Sequence, residues 1–127
     1  MKKGKIVIVD DEKGVRESVK MILKDDYNLS IFTQAEEALK EFREDMADVV
    51  LLDIKMPGMN GIELLKRLKE IDEDIEVIMI TGYGTLDSAT EAMRYGASAY
   101  INKPFNRNEF LEIIKERIKK KGEKRKE

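Results

Sequence analysis

The chain is predicted to form an α/β fold, a parallel sheet of five strands covered by helices on both faces. Short apolar runs rich in β-branched residues alternate five times with segments whose apolar residues recur at helical spacing. The connections between these segments are short, and such alternation requires right-handed crossovers between parallel strands. Five strands favour the flavodoxin-like order 2-1-3-4-5, in which functional groups lie at the carboxyl ends of the strands.

Each strand is predicted from a short apolar run, and each helix from the periodic segment that follows it. The strands are expected over residues 5–9, 29–33, 49–52, 75–80 and 99–101. The second run alternates apolar and polar residues, which suits an edge strand. Three helices are expected to begin after a polar residue followed three positions later by Glu, at Thr33, Asn60 and Asn106. Gly96 is placed to end the fourth helix.

Length and composition exclude several classes of protein. At 127 residues the chain forms one domain that can bury a core without disulfides or metal. Because histidine and cysteine are absent, triads, imidazole bases, thiol nucleophiles and most zinc sites are excluded. A net charge of −2 gives no reason to expect nucleic acid as the main partner. No signal peptide or spanning helix is recognisable, which favours a cytoplasmic protein with no membrane partner.

The C-terminal residues form a basic tail. We assign residues 1–120 to the domain and 121–127 to this tail, and the stretch from Lys119 has six basic residues against two acids. A solvated helix end explains these charges best, because cations there interact favourably with the helix dipole. Charged residues make up 39% of the chain, as is common in proteins of thermophiles.

Acidic residues follow two strands that the predicted order makes neighbours. Asp10 and Asp11 come directly after the first strand, and Asp53 follows the third. Because the carboxyl ends of parallel strands meet at one edge of the sheet, we expect these carboxylates to converge. Three carboxylates this close need a cation, and oxygen ligands select a hard one, so a Mg²⁺ site is predicted.

A hydroxyl and a lysine follow the fourth and fifth strands. Thr81 and Lys103 do not help to hold a cation, but both suit the oxygens of a phosphoryl group in transfer. With a carboxylate nucleophile and a divalent cation, they indicate formation of an aspartyl phosphate. Each residue alone has an ordinary alternative role: Asp11 as a helix cap, Lys103 in a structural ion pair, Thr81 in a turn. Their occurrence together at four strand ends favours phosphoryl transfer.

Several segments match one known family along essentially the whole chain. They are Val9-Asp10-Asp11, Leu52-Asp53 with Met56-Pro57 and Gly61, Ile80-Thr81-Gly82, and Tyr100 with Lys103-Pro104-Phe105. On these segments the chain resembles the receiver domain of two-component response regulators. Segments such as Asp11-Glu12-Lys13-Gly14 are similar to single-domain relay regulators of a sporulation phosphorelay. Thr81-Gly82-Tyr83-Gly84-Thr85 is similar to receivers of σ54-dependent activators.

The resemblance implies that Asp53 accepts the phosphoryl group. The implied direct ligands of Mg²⁺ are Asp11, Asp53 and the backbone carbonyl of Lys55, and Asp10 is implied to act mostly through water. The implied contacts of the phosphoryl oxygens are Thr81, Lys103 and the Gly82 amide. Tyr100 matches the switch aromatic that turns inward when Thr81 moves toward the phosphate, and stands where the relay regulator carries histidine. The Lys103–Pro104 bond is expected to be cis, as it typically is in the family.

Because the chain lacks histidine, the phosphoryl donor is expected on a partner, a sensor histidine kinase or a histidine phosphotransfer protein. The expected docking residues are Val15, Leu86, Pro104 and Phe105. Val15 has an alternative role in the core, since it shares a helix face with Val19 and Ile22. We expect a monomer that signals to a downstream protein and catalyses its own phosphorylation and dephosphorylation without a turnover substrate.

Other classes fit less well. A haloacid-dehalogenase-type phosphatase needs a second Asp two residues after Asp53, where Lys55 stands. A flavin carrier of the same fold needs a first loop that cradles phosphate, whereas the acids after the first strand repel one without a metal. A dinucleotide-binding domain needs a glycine fingerprint that the chain lacks. The receiver part of a σ54-type activator and a non-signalling flavodoxin-like binding module stay open as alternatives.

Two side chains are expected to lengthen the lifetime of the aspartyl phosphate. Lys55 and Tyr83 each lie two residues after a site residue, where they should flank the in-line approach of water. Both occupy space, and neither is an acid that would orient a water as a base. The alternative is that both are ordinary loop residues.

Overall fold

The computed structural model describes residues 2–82 and 85–126, in which five strands alternate with five helices. The strands are β1 (Lys5–Val9), β2 (Asn28–Phe32), β3 (Val49–Leu52), β4 (Glu76–Thr81) and β5 (Ala99–Asn102). The helices are α1 (Lys13–Leu23), α2 (Ala35–Glu41), α3 (Gly61–Ile71), α4 (Leu86–Arg94) and α5 (Arg107–Lys126). All strand pairs are parallel in the order β2-β1-β3-β4-β5, which confirms the predicted topology. Within 2–82 and 85–126, no helix is both long and apolar enough to span a bilayer.

Two apolar layers cover the sheet, one on each face. Along β3, Val50 and Leu52 pack into the layer formed with α2, α3 and α4, whereas Val49 and Leu51 pack into the layer formed with α1 and α5. Successive residues of a strand point to opposite faces, so a strand covered on both sides must be apolar throughout. This is why all four residues of β3 are buried.

The strand register sets the position of the functional residues. Val9 of β1 pairs with Leu52 of β3, so Asp10 and Asp53 follow neighbouring strands at the same level. The Asp53 N–H extends this ladder by donating to the Val9 carbonyl at 3.1 Å. Gly61, the first residue of α3, lies against the backbone of Asp53. A Cβ at this position would lie only 2.1 Å from the Asp53 carbonyl oxygen. The chain thus folds back tightly after Asp53.

Two of the three predicted N-caps are present. The Asn60 side chain accepts the Glu63 N–H at 2.9 Å, and the Asn106 side chain accepts the Glu109 N–H at 3.1 Å. Each bond satisfies a backbone donor that the first turn of a helix leaves free. Gly96 follows α4 at a φ of 96°, in the left-handed region expected of a residue that ends a helix.

The predicted capping box at Thr33 is wrong. The N-cap of α2 is Gln34, which makes no side-chain cap bond to a described residue. The Thr33 hydroxyl instead donates to the Glu37 carboxylate at 3.3 Å. Glu36, the expected reciprocal partner, accepts the backbone N–H of Met59 at 2.8 Å. The Glu36 carboxylate therefore binds the backbone of a distant loop instead of the cap of α2 that the local pattern predicts.

The interpretation of the C-terminal tail as a solvated helix end is wrong for Lys121. Helix α5 continues through this residue, whose side chain is 0% exposed and lies 3.1 Å from Asp72 Oδ2. Burial raises the pKa of Asp72, but the N–H of Asp45 and the Lys121 ammonium outweigh it and the pKa is lowered. Lys124 pairs with Glu76 at 3.4 Å. The end of α5 is thus fastened to the amino end of the sheet.

Candidate metal and phosphoryl site

Three carboxylates meet at the carboxyl ends of β1 and β3. Oxygen atoms of Asp10, Asp11 and Asp53 all lie within 4.8 Å of one another. Asp10 and Asp53 are buried, at 3% and 1% exposure, whereas Asp11 is exposed. The predicted convergence of these acids is confirmed. Asp11 is not the cap of α1, since the N-cap position is held by Glu12.

Lys103 reaches this acidic group from the end of β5. Its Nζ lies 3.3 Å from Asp10 Oδ2, 3.6 Å from Asp53 Oδ2 and 3.3 Å from Glu12 Oε1. The Lys103 backbone N–H donates to the Thr81 carbonyl at 2.9 Å, which joins the ends of β4 and β5. The Lys103–Pro104 bond is cis, as expected. One ammonium group therefore forms ion pairs with three carboxylates.

One oxygen of Asp53 is left without a hydrogen bond. The Lys55 N–H donates to Asp53 Oδ1 at 3.3 Å, and the buried Thr81 hydroxyl also bonds the Asp53 carboxylate. Asp53 Oδ2 is buried and has no hydrogen-bond partner in the described part of the chain. A buried acceptor without a donor is costly, so this oxygen is suited to bind a cation or to form a bond with an incoming group.

The balance of charge favours a bound cation. Burial raises the pKa of Asp10. The hydrogen bond from the Glu12 N–H lowers this pKa and the nearby Asp53 carboxylate raises it, and on balance the pKa is raised. Burial also raises the pKa of Asp53 more than Lys103 lowers it. Burial lowers the pKa of Lys103, yet the carboxylates of Asp10 and Asp53 outweigh this and the pKa is raised. With Glu12, four carboxylates surround one ammonium group, so negative charge exceeds what the lysine neutralises, and an all-oxygen ligand set suits Mg²⁺.

A cavity of about 410 Å³ adjoins the acids. Asp11 and Glu12 line one side of it, and Lys55, Met56 and Pro57 line the other. The loop between β3 and α3 therefore forms one wall of the candidate site.

The predicted docking residues fall into two places. Val15, Pro104 and Phe105 line one groove of about 540 Å³, which also contains Lys103. Val15 additionally packs against the core, in agreement with its alternative role. Leu86 lies at the start of α4, where its side chain is 83% exposed. The groove beside Lys103 and the Leu86 side chain are therefore separate candidate contacts.

The remaining predicted residues lie around the end of β4. Gly82 is exposed directly after Thr81. Tyr100 is half-buried, and its hydroxyl lies 3.2 Å from Ser88 Oγ in the first turn of α4. The predicted effect of Tyr83 concerns a residue outside the described ones.

Two residues of the site were missed from the sequence. Glu12 pairs with Lys103, and the Arg16 guanidinium donates to the Asp10 carbonyl at 2.9 Å. The available signal for Glu12 was its place directly after two site acids. For Arg16 it was a position in the first turn of α1, close to the end of β1.

Fold and site together define a class, a parallel (βα)5 protein with an acid–lysine site at the strand ends. A family model, the response regulator receiver domain, matches residues 6–115. The chain is 41% identical to sporulation initiation phosphotransferase F of Bacillus subtilis over 116 residues, covering 91% of this chain and 94% of the relative. It is 36% identical to the DNA-binding transcriptional regulator NtrC of Proteus hauseri, covering 93% of this chain but 25% of that protein. A CheY-like receiver domain protein from Methanospirillum hungatei superposes with a TM-score of 0.89 at 36% identity, covering 94% and 97% of the two chains.

The chain belongs to the response regulator receiver domain family and is a phosphoacceptor domain of two-component signalling. It spans nearly all of the sporulation relative but only a quarter of NtrC. Members of this family interact with histidine kinases or phosphotransfer proteins and bind Mg²⁺ in an acidic pocket. The cluster of Asp10, Asp11 and Asp53 fits that description.

Proposed function

We propose that Asp53 accepts a phosphoryl group from the phosphohistidine of a partner protein. The observation that carries the proposal is its buried Oδ2, which lacks a hydrogen bond and lies 3.6 Å from the Lys103 ammonium. A nucleophile needs a free lone pair, and a fixed cation beside it stabilises the charge of the phosphoryl oxygens.

The site residues have distinct roles in this proposal. Asp53 Oδ2 forms the new bond to phosphorus while the bond from phosphorus to the donor imidazole breaks, and the electron pair returns to the imidazole nitrogen. Lys103 moves from the carboxylates to a phosphoryl oxygen, and the Thr81 hydroxyl and Gly82 amide donate to others. Arg16 donates to the Asp10 carbonyl and the Glu12 N–H donates to Asp10 Oδ1, so that Asp10 is held in place while Lys103 contacts Oδ2.

We assign the Mg²⁺ ligands to Asp10, Asp11, Asp53 and the backbone carbonyl of Lys55. Three carboxylates within 4.8 Å support this assignment, because carboxylates at this spacing repel one another without a cation. When bound, Mg²⁺ neutralises negative charge on the phosphoryl oxygens.

Output is proposed to run through Thr81 and Tyr100 to a downstream protein. Movement of Thr81 toward the phosphoryl group would leave space for Tyr100, whose hydroxyl now bonds Ser88 of α4. The change is a population shift between existing states. Tyr100 and α4 amide chemical shifts that stay identical with and without beryllofluoride would refute it.

We place the protein in the cytoplasm as a monomer without a turnover substrate, a membrane partner or direct nucleic-acid contact. The donor, a sensor kinase or phosphotransfer protein, is proposed to dock on the groove at Val15, Pro104 and Phe105 and on Leu86. Val15→Ala and Leu86→Ala should slow transfer from a phosphorylated histidine phosphotransfer domain while labelling by acetyl phosphate stays unchanged. Equal transfer rates would show that donors dock elsewhere.

A second output is favoured by the similarity to the NtrC receiver. This chain matches only one quarter of that DNA-binding regulator, so in this second proposal the receiver is one domain of a longer protein and directs its output to an attached domain. The two outputs share Asp53 and differ in whether the downstream protein is a separate chain.

Labelling with acetyl phosphate tests the proposed chemistry. Intact mass spectrometry should show the addition of one phosphoryl group in Mg²⁺ and none in a chelator. Asp53→Asn should abolish the labelling, and Asp48→Asn, which removes a carboxylate at the amino end of the sheet, should keep it. Labelling of the Asp53→Asn variant at the wild-type level would refute the assignment.

A further inference from the structure

Glu36, in the first turn of α2, binds the loop that follows Asp53. Its Oε1 accepts the backbone N–H of Met59 at 2.8 Å. This bond, together with one from its own backbone N–H, holds the pKa of Glu36 below its usual range even though the side chain is exposed. The bond to Met59 is therefore a charge-assisted one at neutral pH.

Gly58 allows the loop to approach this carboxylate. Its φ of 80° lies in the left-handed region, and a Cβ at this position would lie 2.6 Å from Glu36 Oε1. A side chain here would collide with the Glu36 carboxylate, which would have to move away from Met59, and the φ would strain any residue other than glycine. The conformation of the loop and the position of the carboxylate are therefore matched.

The same loop is a wall of the candidate site. It is held at its base by the Gly61 N–H, which donates to the Ile54 carbonyl at 2.8 Å. In its middle the Met56 side chain is buried in the core, and Lys55, beside it, lines the cavity opposite Asp11. Glu36 holds the stretch between these two attachments, through its bond to Met59. It is thus placed to restrain the turn that connects Lys55 and Met56 to α3.

We propose that Glu36 is a positioning residue, which acts through the Met59 N–H to hold the β3–α3 loop where the Lys55 carbonyl completes the Mg²⁺ site. The inference rests on the proposed function only in its assignment of the metal ligands. Glu36 itself touches neither the metal nor the phosphoryl group.

Mg²⁺ titration by calorimetry, with the purified full chain, tests this role. Glu36→Ala removes the acceptor and should raise the Kd for Mg²⁺ about five-fold, because exposure to solvent limits this charge-assisted bond to about the value of a neutral one. Glu36→Gln keeps an oxygen at the same place and should stay within about two-fold of wild type, although it removes the same charge. Glu37→Ala is the matched control, because Glu37 lies in the same helical turn and accepts from Thr33 instead. The Kd of Glu37→Ala for Mg²⁺ should also stay within about two-fold of the wild-type value.

A second readout separates positioning from overall stability. Hydrogen exchange of the Met59 amide should quicken in Glu36→Ala and not in Glu37→Ala, while the urea midpoint of both variants stays close to wild type. An equal rise in Kd for Glu36→Ala, Glu36→Gln and Glu37→Ala would overturn the proposal, because it would reduce Glu36 to a long-range charge. Unchanged Met59 exchange in Glu36→Ala would overturn it as well.

The outcome for Glu36 is distinguishable from that for the phosphoacceptor. If Glu36→Ala weakens Mg²⁺ binding as expected but acetyl phosphate does not label Asp53, the positioning role holds and the phosphoacceptor assignment fails. If Asp53 is labelled while Glu36→Ala binds Mg²⁺ like wild type, the positioning role alone fails.

Discussion

Replacing Lys103 by Met should destabilise the fold, because the lysine compensates two buried carboxylates. Its Nζ lies 3.3 Å from Asp10 Oδ2 and 3.6 Å from Asp53 Oδ2, and its side chain is 13% exposed. At an effective dielectric constant of about 20, each of these contacts corresponds to about 5 kcal/mol of gross Coulomb attraction. Removing the ammonium also removes the cost of burying it. The net loss expected for breaking a buried pair is at the lower end of about 3–5 kcal/mol.

Urea unfolding at pH 7 in a chelating buffer measures this loss. We expect Lys103→Met to lower the free energy of unfolding by about 3 kcal/mol. Lys55→Met is the control: it lies at the same edge of the sheet but is exposed, and its change should stay within about 0.5 kcal/mol. Adding Asp53→Asn to Lys103→Met should recover part of the loss, since one of the two uncompensated charges is then absent.

The response of the variant to Mg²⁺ extends the test. A cation bound by the carboxylates takes over the role of the lysine, and Mg²⁺ at about 100 times its Kd would add about 2.7 kcal/mol to stability. A loss below about 0.5 kcal/mol for Lys103→Met would refute the reasoning, because surface substitutions reach that size. So would a double variant that is less stable than Lys103→Met alone.

Three further predictions concern other charges. Asp53→Asn should raise the free energy of unfolding at pH 7 without Mg²⁺ by on the order of 1 kcal/mol. Because the folded pKa of Asp53 is raised, wild type loses stability as pH rises from the ordinary carboxyl range through that pKa, and parallel pH profiles of the two proteins would contradict this. Lys121→Met should cost about 3 kcal/mol by leaving the buried Asp72 unpaired, whereas the exposed Lys120→Met should be nearly neutral. Since the pKa of Asp72 is lowered, the stability from this pair is lost as pH falls through the folded pKa. Lys55→Asn should shorten the lifetime of the aspartyl phosphate at fixed Mg²⁺ if Lys55 shields it from water, and equal or slower decay would assign the lifetime to another feature.

The sheet and its strand-end acids could be predicted because they follow from local patterns and one topological rule. The run from Val49 to Leu52 is apolar on both faces, which only a covered strand requires. Once the strand order is set, residues that follow β1 and β3 must be neighbours. The convergence of Asp10 and Asp53 therefore needs no knowledge of side-chain packing.

What escaped prediction depends on contacts between distant parts of the chain. The bond of Glu36 to the Met59 amide joins α2 to a loop 23 residues away, and the local capping pattern at Thr33 gives no indication of it. The burial of Lys121 could be predicted in part from its position in α5. Lys121 lies seven residues after the buried Ile114 and so shares a face of α5 with the core. Its partner Asp72 ends α3, and no pattern within α5 reveals that residue.

Locating the phosphoryl group within the chain tests directly whether Asp53 is the phosphoacceptor. After labelling by acetyl phosphate and Mg²⁺, borohydride reduces an acyl phosphate to the corresponding alcohol, and peptide mass spectrometry identifies the reduced position. Reduction is expected at position 53 alone, dependent on Mg²⁺ and lost in Lys103→Met. Reduction at Asp10 or Asp11 instead, or labelling that leaves position 53 unchanged, would contradict it.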